Sequence, residues 1–194
     1  LKSLRPAVFI GRRSDMESNL NMIWFFLVGI LFTGYAILDG FDLGVGALHL
    51  FTKTDEERRL MLNSIGPVWD GNEVWLVTAG GALFAAFPDV YATALSGFYL
   101  GFIFFVVALI FRAVAIEFRS KQASKVWRQF WDVSFSVSSI LSSFLLGLVM
   151  GNIVWGIPLA ADKEYTGTFL GLFHPYALSM GVTVVPLFTL HGAT

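Results

Sequence analysis

Five apolar stretches, separated by short polar or charged segments, set the pattern of this chain. Met22 to Leu50 is apolar apart from small and Asn/Thr-type residues, Asp39 and Asp42, and it exceeds the roughly 20 residues that a membrane-crossing helix needs. The charged segment Thr52 to Arg59 (TKTDEERR) closes it. A second stretch runs from about Ile65 to Phe87 and holds Asp70, Asn72 and Glu73 in its first half, and Pro88-Asp89 marks the turn after it. Val90 to Phe111 is an almost unbroken third span. A basic connector, Arg112 to Arg128, separates it from a fourth span at about Phe130 to Ile157. After a polar loop from Pro158 to Gly167, a fifth runs from Phe169 to Leu190. The pattern predicts an all-α fold, a polytopic membrane helix bundle of about five transmembrane helices.

Loop charge orients the bundle. Basic residues in short loops favour the cytoplasmic side, and Arg112, Arg119, Lys121, Lys125 and Arg128 face only Glu117 in the fourth segment's connector. With that connector inside, Lys53, Arg58 and Arg59 are inside as well, and span one starts on the outer, periplasmic side. Lys2, Arg5, Arg12 and Arg13 pull the other way. Residues 1–21 have neither the apolar core nor the small-residue cleavage site of a signal peptide, and they are set apart as an N-terminal extension.

The misplaced polar groups are the chemistry. A charged Asp at a helix centre costs about 2.5–3.5 kcal/mol on insertion scales. Span one has fifteen Leu, Ile, Val or Phe residues, each contributing roughly 0.3–0.6 kcal/mol, so two central aspartates would cancel most of its insertion energy. Asp39 and Asp42 are therefore expected near an end, protonated or facing protein. They follow Met22 by 17 and 20 residues, about 25–30 Å along a helix, which brings them toward the cytoplasmic surface. Asp70 and Glu73 open span two from that same side. Asp39/Asp42 and Asp70/Glu73 are both i, i+3 pairs that share a helix face, and clustered, desolvated carboxylates exchange protons near neutral pH. The four acids, with no Lys or Arg among them in sequence, are the candidate proton or cation path; acids of the loops, such as Asp55-Glu56-Glu57, read as solvated or ion-paired.

Composition agrees and excludes. Of 194 residues, 56% are hydrophobic and 14% charged, with a net charge of -1, against about 45–50% and about 25% in soluble domains. No basic field for nucleic acid exists. With no cysteine and three histidines, thiolate metal sites and cysteine nucleophiles are excluded, and no metal site is expected. His49 and His191 end spans one and five at one depth, so a b-type haem-binding subunit remains an alternative; interface histidines are the plainer reading, for His174 too. Gly40 and Gly44 form a GxxxG spacing that admits a neighbouring helix. Gly44-Val45-Gly46 lacks the context of a dinucleotide site. Trp24, Trp75, Trp127, Trp131 and Trp155 fall mostly at span ends, as an aromatic belt does.

Gly34 to Gly46 (GYAILDGFDLGVG) resembles the first helix of subunit II of the cytochrome bd quinol oxidases, the cyanide-insensitive branch included. The resemblance continues through Glu57-Arg58-Arg59, Asn63 to Leu76 (NSIGPVWDGNEVWL), Thr78 to Pro88 (TAGGALFAAFP), Ser96-Gly97-Phe98-Tyr99, Phe111-Arg112 and Phe118-Arg119-Ser120-Lys121, in family order. It implies a haem-free subunit that supports assembly and cytoplasmic proton uptake in an inner-membrane complex reducing dioxygen to water with electrons from quinol. Haems b and d and the quinol site would belong to subunit I, the partner, with membrane lipid around both. Asp70, in the WDGN motif, becomes the first choice for a proton-pathway carboxylate, with Asp39, Asp42 and Glu73 in support. Trp69, Gly71, Asn72 and Trp75 complete that motif, and Gly40 and Gly44 pack it. Family chains are about twice this long, so residues 22–194 read as the first bundle of a two-bundle subunit. A proton-coupled carrier is a further alternative, but spans three to five show no second copy of the acidic helix that its inverted repeat requires.

Overall fold

The computed structural model describes the backbone of residues 5–194 and the side chains of residues 18–194, so within the N-terminal extension residues 1–4 lie outside the described residues and residues 5–17 are described by backbone alone. Seven α-helices follow one another: α1 (Arg5–Leu48), α2 (Asp55–Ile65), α3 (Trp69–Ala86), α4 (Pro88–Gly97), α5 (Tyr99–Phe118), α6 (Lys125–Trp155) and α7 (Pro175–Gly192). Among the described residues the only β pairing is an isolated bridge between Leu159 and Tyr165 in the loop before α7. Among the described residues three segments are long and apolar enough to cross a membrane: Ser18–Phe51, Tyr99–Lys121 and Lys125–Trp155. Helices α3 and α7 are 18 residues each, about 27 Å at 1.5 Å per residue.

Local chemistry explains the boundaries. The segment TKTDEERR is largely a helix start: the Thr54 hydroxyl accepts from Glu57 N at 3.2 Å while Glu57 Oε2 accepts from Thr54 N at 3.1 Å, a capping box. Asp55, Glu56 and Glu57 fill the first turn of α2, where acids complement the helix dipole. Ser124 caps α6 through Trp127 N. His174 caps α7, its Nδ1 accepting from Ala177 N at 3.3 Å, which gives this residue a structural task beyond a place at the interface.

The third apolar stretch is not one rod. It breaks at Phe98 into α4 and α5, and α5 continues to Phe118, past the boundary that Arg112 suggested. The connector before α6 is correspondingly shorter than Arg112 to Arg128, with 3-10 geometry over Arg119–Lys121. The helix can carry Arg112 because an acid on α1 meets it.

Helix α1 is the axis of the bundle, with glycines marking its close approaches. A Cβ on Gly34 would lie 2.3 Å from the Trp75 ring of α3, one on Gly44 1.8 Å from Phe188 O of α7, and one on Gly46 2.0 Å from Ser139 Oγ of α6. Gly40 meets the Phe188 ring. Gly147 and Gly151 of α6 similarly admit α7, at Gly181 and Ala177. Two apolar clusters result, one around Ile65, Ala115 and Phe135, the other around Tyr35, Phe105, Leu145 and Ala177. Much of the outer surface is apolar too, including Phe25, Phe26, Val77, Phe104 and Ile110.

Candidate functional site

Asp39 and Asp42 are fully buried on α1, and so is Arg112 of α5. The Arg112 guanidinium grips Asp39 with both terminal nitrogens: Nη1 donates to Oδ2 at 2.7 Å and Nη2 donates to Oδ1. This two-point fork is the strongest geometry an Arg–carboxylate pair can take. Asp42 Oδ2 lies 3.8 Å from Nη2 and Glu73 Oε1 3.7 Å from Nη1. Asn72 Nδ2 donates to Asp42 Oδ2 at 2.8 Å. Three carboxylates therefore surround one buried cation, Asp39 and Asp42 fully buried and Glu73 partly exposed, with only Asp39 directly bonded to it.

The placement divides the sequence candidates. Asp39, Asp42, Asn72 and Glu73 come together around Arg112. Asp70 does not join them: it sits in the first turn of α3 on an exposed surface, as does Gly71, with Trp69 half-buried beside it. Trp75 covers Gly34, and Gly40 and Gly44 receive α7. The sequence grouping of four acids without a base thus changes in space, because Arg112 folds back among three of them.

A second charged cluster lies where α1, α2, α5 and α6 meet. Asp132 of α6 accepts from Arg119 Nε, from Arg119 Nη2 at 3.2 Å and from Arg58 Nη1 at 2.9 Å, and its Oδ1 lies 2.6 Å from His49 Nε2. Arg119 Nη2 also donates to Asp55 at 2.6 Å, and Arg128 Nη1 donates to Asp55 at 3.1 Å. His49, Arg119 and Asp132 are buried. The hydrogen bond from Arg119 holds the Asp55 carboxyl below its usual range, and the charges of Arg119 and Arg128 act in the same direction. Backbone N–H groups of Lys53 and Thr54 lower Glu57 likewise.

Arg112, Asp132, Arg58 and Arg119 were not singled out from the sequence. Arg112 and Arg119 looked like members of a basic loop, and Asp132 lay unnoticed near the start of span four. A signal was present: an acid inside an apolar span needs a cation, and the surplus of five basic residues over one Glu between spans three and four supplied candidates. His49 is not an interface histidine, since its ring is buried edge-on against Phe135 at 5.2 Å. His191 Nε2 lies 2.9 Å from Ile37 O. Each histidine thus commits a ring nitrogen to the fold, and no group of three or more His, Cys, Asp or Glu suited to a metal ion occurs among the described residues.

Comparison with known proteins gives this arrangement a context. The family model described as cytochrome bd terminal oxidase subunit II matches residues 20–194. The chain is 47% identical over 180 residues to cytochrome bd-I ubiquinol oxidase subunit 2 of Escherichia coli (strain K12), covering 90% of this chain and 48% of that protein. It is 43% identical over 176 residues to cytochrome bd ubiquinol oxidase subunit 2 of Bacillus subtilis (strain 168), covering 90% and 52%. With the probable cytochrome oxidase subunit 2 of Haemophilus influenzae it shares 41% over 179 residues, covering 90% and 47%. The chain spans about half the length of the curated relatives it matches.

Proposed function

The chain belongs to the cytochrome bd terminal oxidase subunit II family, and from that premise we propose that it works as the haem-free member of a multi-pass complex in the bacterial cytoplasmic membrane. That complex oxidises quinol and reduces dioxygen to water. Subunit I carries haems b and d and the quinol site, and this chain supports assembly and the uptake of protons from the cytoplasm. The redox chemistry is the partner's.

What supports a proton role is the Arg112 cluster. One guanidinium compensates one buried carboxylate fully, and Asp39, held by two hydrogen bonds, is that carboxylate. Asp42 and Glu73 share what is left of the field at 3.8 and 3.7 Å. Two further full negative charges there are costly in a membrane, so the pair holds a proton. Asp42 Oδ1 and Glu73 Oε1 are buried without a hydrogen-bond partner and are the atoms on which it resides. Asp70, one turn before Glu73 and exposed, takes the proton from outside the cluster and passes it inward. Asn72 and Arg112 position the acceptors.

The test uses the full-length complex in vesicles, with quinol-driven oxygen consumption and proton uptake recorded together. Asp42→Asn and Glu73→Gln are expected to slow proton uptake at least about tenfold with haem content unchanged, and Asp70→Asn to slow it by a smaller factor, about twofold. Wild-type uptake in Asp42→Asn or in Glu73→Gln would refute the proposal.

A further inference from the structure

The buried face of α1 carries more than two acids. Tyr35, Asp39, Asp42 and Gly46 follow one another at i, i+4, i+7 and i+11, a single stripe along the helix, which His49 extends from the 3-10 turn His49–Phe51 directly after it, and Tyr35, Asp39, Asp42 and His49 are all nearly or fully inaccessible. Helix α6 lies along this stripe in the opposite direction. Two contacts fix the register: His49 against Asp132, and Gly46 against Ser139, so close that a Cβ at Gly46 would meet Ser139 Oγ at 2.0 Å. One turn beyond Ser139, toward the Arg112 cluster, come Ser142 and Ser143, with Ser136 between Ser139 and Asp132. All four serines are buried. The two ionic clusters are therefore the ends of one polar seam in an otherwise apolar bundle.

Small hydroxyl residues at a membrane helix contact can serve packing alone. Ser139 and Ser143 fit that role, since each hydroxyl donates back to the carbonyl four residues earlier, at 2.8 Å. Other atoms of the seam do not. Ser142 Oγ, Asp42 Oδ1, Tyr35 OH and His49 Nδ1 are all buried without a hydrogen-bond partner. Leaving such an atom unpaired is costly, and buried polar groups of this kind are satisfied by ordered water, which bridges two to four of them at a time. Back-bonded serines keep lone pairs that accept from such water.

We propose that the seam between α1 and α6 holds a chain of ordered waters that carries protons from His49 to Asp42, a second entrance to the Arg112 cluster that bypasses Asp70. At each station an oxygen accepts a proton and releases its own to the next, so no charge is left behind. His49 takes a proton on Nδ1 while Nε2 stays against Asp132, and Asp42 Oδ1 receives the proton at the far end. The inference rests on the reading of Asp42 as a proton carrier.

The experiment compares Ser142→Val with Ser142→Thr in the full-length complex in vesicles, with Asp42→Asn alongside. Val and Thr have the same shape and differ by a methyl for a hydroxyl, so packing is controlled. In the Asp70→Asn background, where the other entrance is closed, Ser142→Val is expected to slow proton uptake by a further factor of about ten at unchanged haem content, and Ser142→Thr to stay within about twofold of Asp70→Asn alone. Equal rates in the two variants overturn the seam. Slow Asp42→Asn with fast Ser142→Val overturns the seam alone, whereas unaffected Asp42→Asn removes the proposed function and the seam with it. Radiolytic labelling of the unmodified complex is independent of any variant: Tyr35 and Phe135 beside bound water are oxidised despite burial, and their protection would overturn the proposal.

Discussion

Replacing Arg112 by Leu tests the electrostatic reasoning most directly. The side chain makes two hydrogen bonds to Asp39 and lies within 4 Å of both Asp42 and Glu73. At an effective dielectric of about 20, unit charges at about 4 Å interact by roughly 4 kcal/mol, so one cation offsets several such terms. Removing one member of a buried pair costs about 3–5 kcal/mol, a large part of the roughly 5–15 kcal/mol that holds a folded protein together. Arg112→Lys keeps the charge but not the fork and should fall between the two. The decisive variant is the double one: Asp39→Leu with Arg112→Leu replaces the ion pair by apolar groups, which is neutral or stabilising by about 1–4 kcal/mol in other buried pairs. The double variant should therefore be more stable than Arg112→Leu alone. Denaturant midpoints of the full-length complex, followed by tryptophan fluorescence, give the coupling energy through a double-mutant cycle. A cost below about 1 kcal/mol for Arg112→Leu, or additive single and double variants, would refute the account.

Asp132→Asn leaves Arg58, Arg119 and His49 around a neutral amide and should destabilise the complex by about 3–5 kcal/mol, read as a lowered denaturant midpoint. Asp55 is held below its usual value by Arg119, so its contribution is fully present above the unfolded Asp pKa of about 3.9 and is lost as pH falls through the lowered folded value. Melting curves of the parent and Asp55→Asn should accordingly differ at pH 6 and converge in strong acid. Gly44→Ala places a Cβ 1.8 Å from Phe188 O and 2.8 Å from Gly192 N, so α7 must move away, at about 1–3 kcal/mol of overpacking; a thermal melt measures it.

The helices were legible because their physics is local. Apolar length marks α1, α5 and α6, and the Thr54/Glu57 capping box could have separated α2 from a plain connector. The break at Phe98 was missed because the hydropathy does not change there, although Ser96-Gly97 directly before it is a turn-type pair. The acids Asp39, Asp42 and Glu73 stood out as charges inside apolar stretches. Their partner did not, because Arg112 closes an apolar run and looks identical to the first residue of a cytoplasmic loop. Sequence distance hides such a pair: 73 positions separate Arg112 from Asp39, and the long Arg112 side chain reaching from α5 to α1 closes the gap. Asp70 illustrates the converse, since a motif that is dense in chemistry placed it among the acids while helical geometry turns it outward from them.

The two ionic clusters are built from the same residue types with opposite balance, and that balance separates their tasks. Around Asp132, two guanidiniums and an imidazole surround one carboxylate, every carboxylate oxygen has at least two donors or ring contacts, and the acid has no reason to accept a proton. Such a site clasps α1, α2, α5 and α6 together. Around Arg112 three carboxylates surround one cation, and one buried oxygen each of Asp42 and Glu73, Oδ1 and Oε1, is left without a donor. A surplus of buried negative charge is relieved by binding a proton, and it is restored whenever that proton leaves. On the proposed function, exchange therefore belongs to the Arg112 end, while the Asp132 carboxylate, fully bonded, anchors the helices around it.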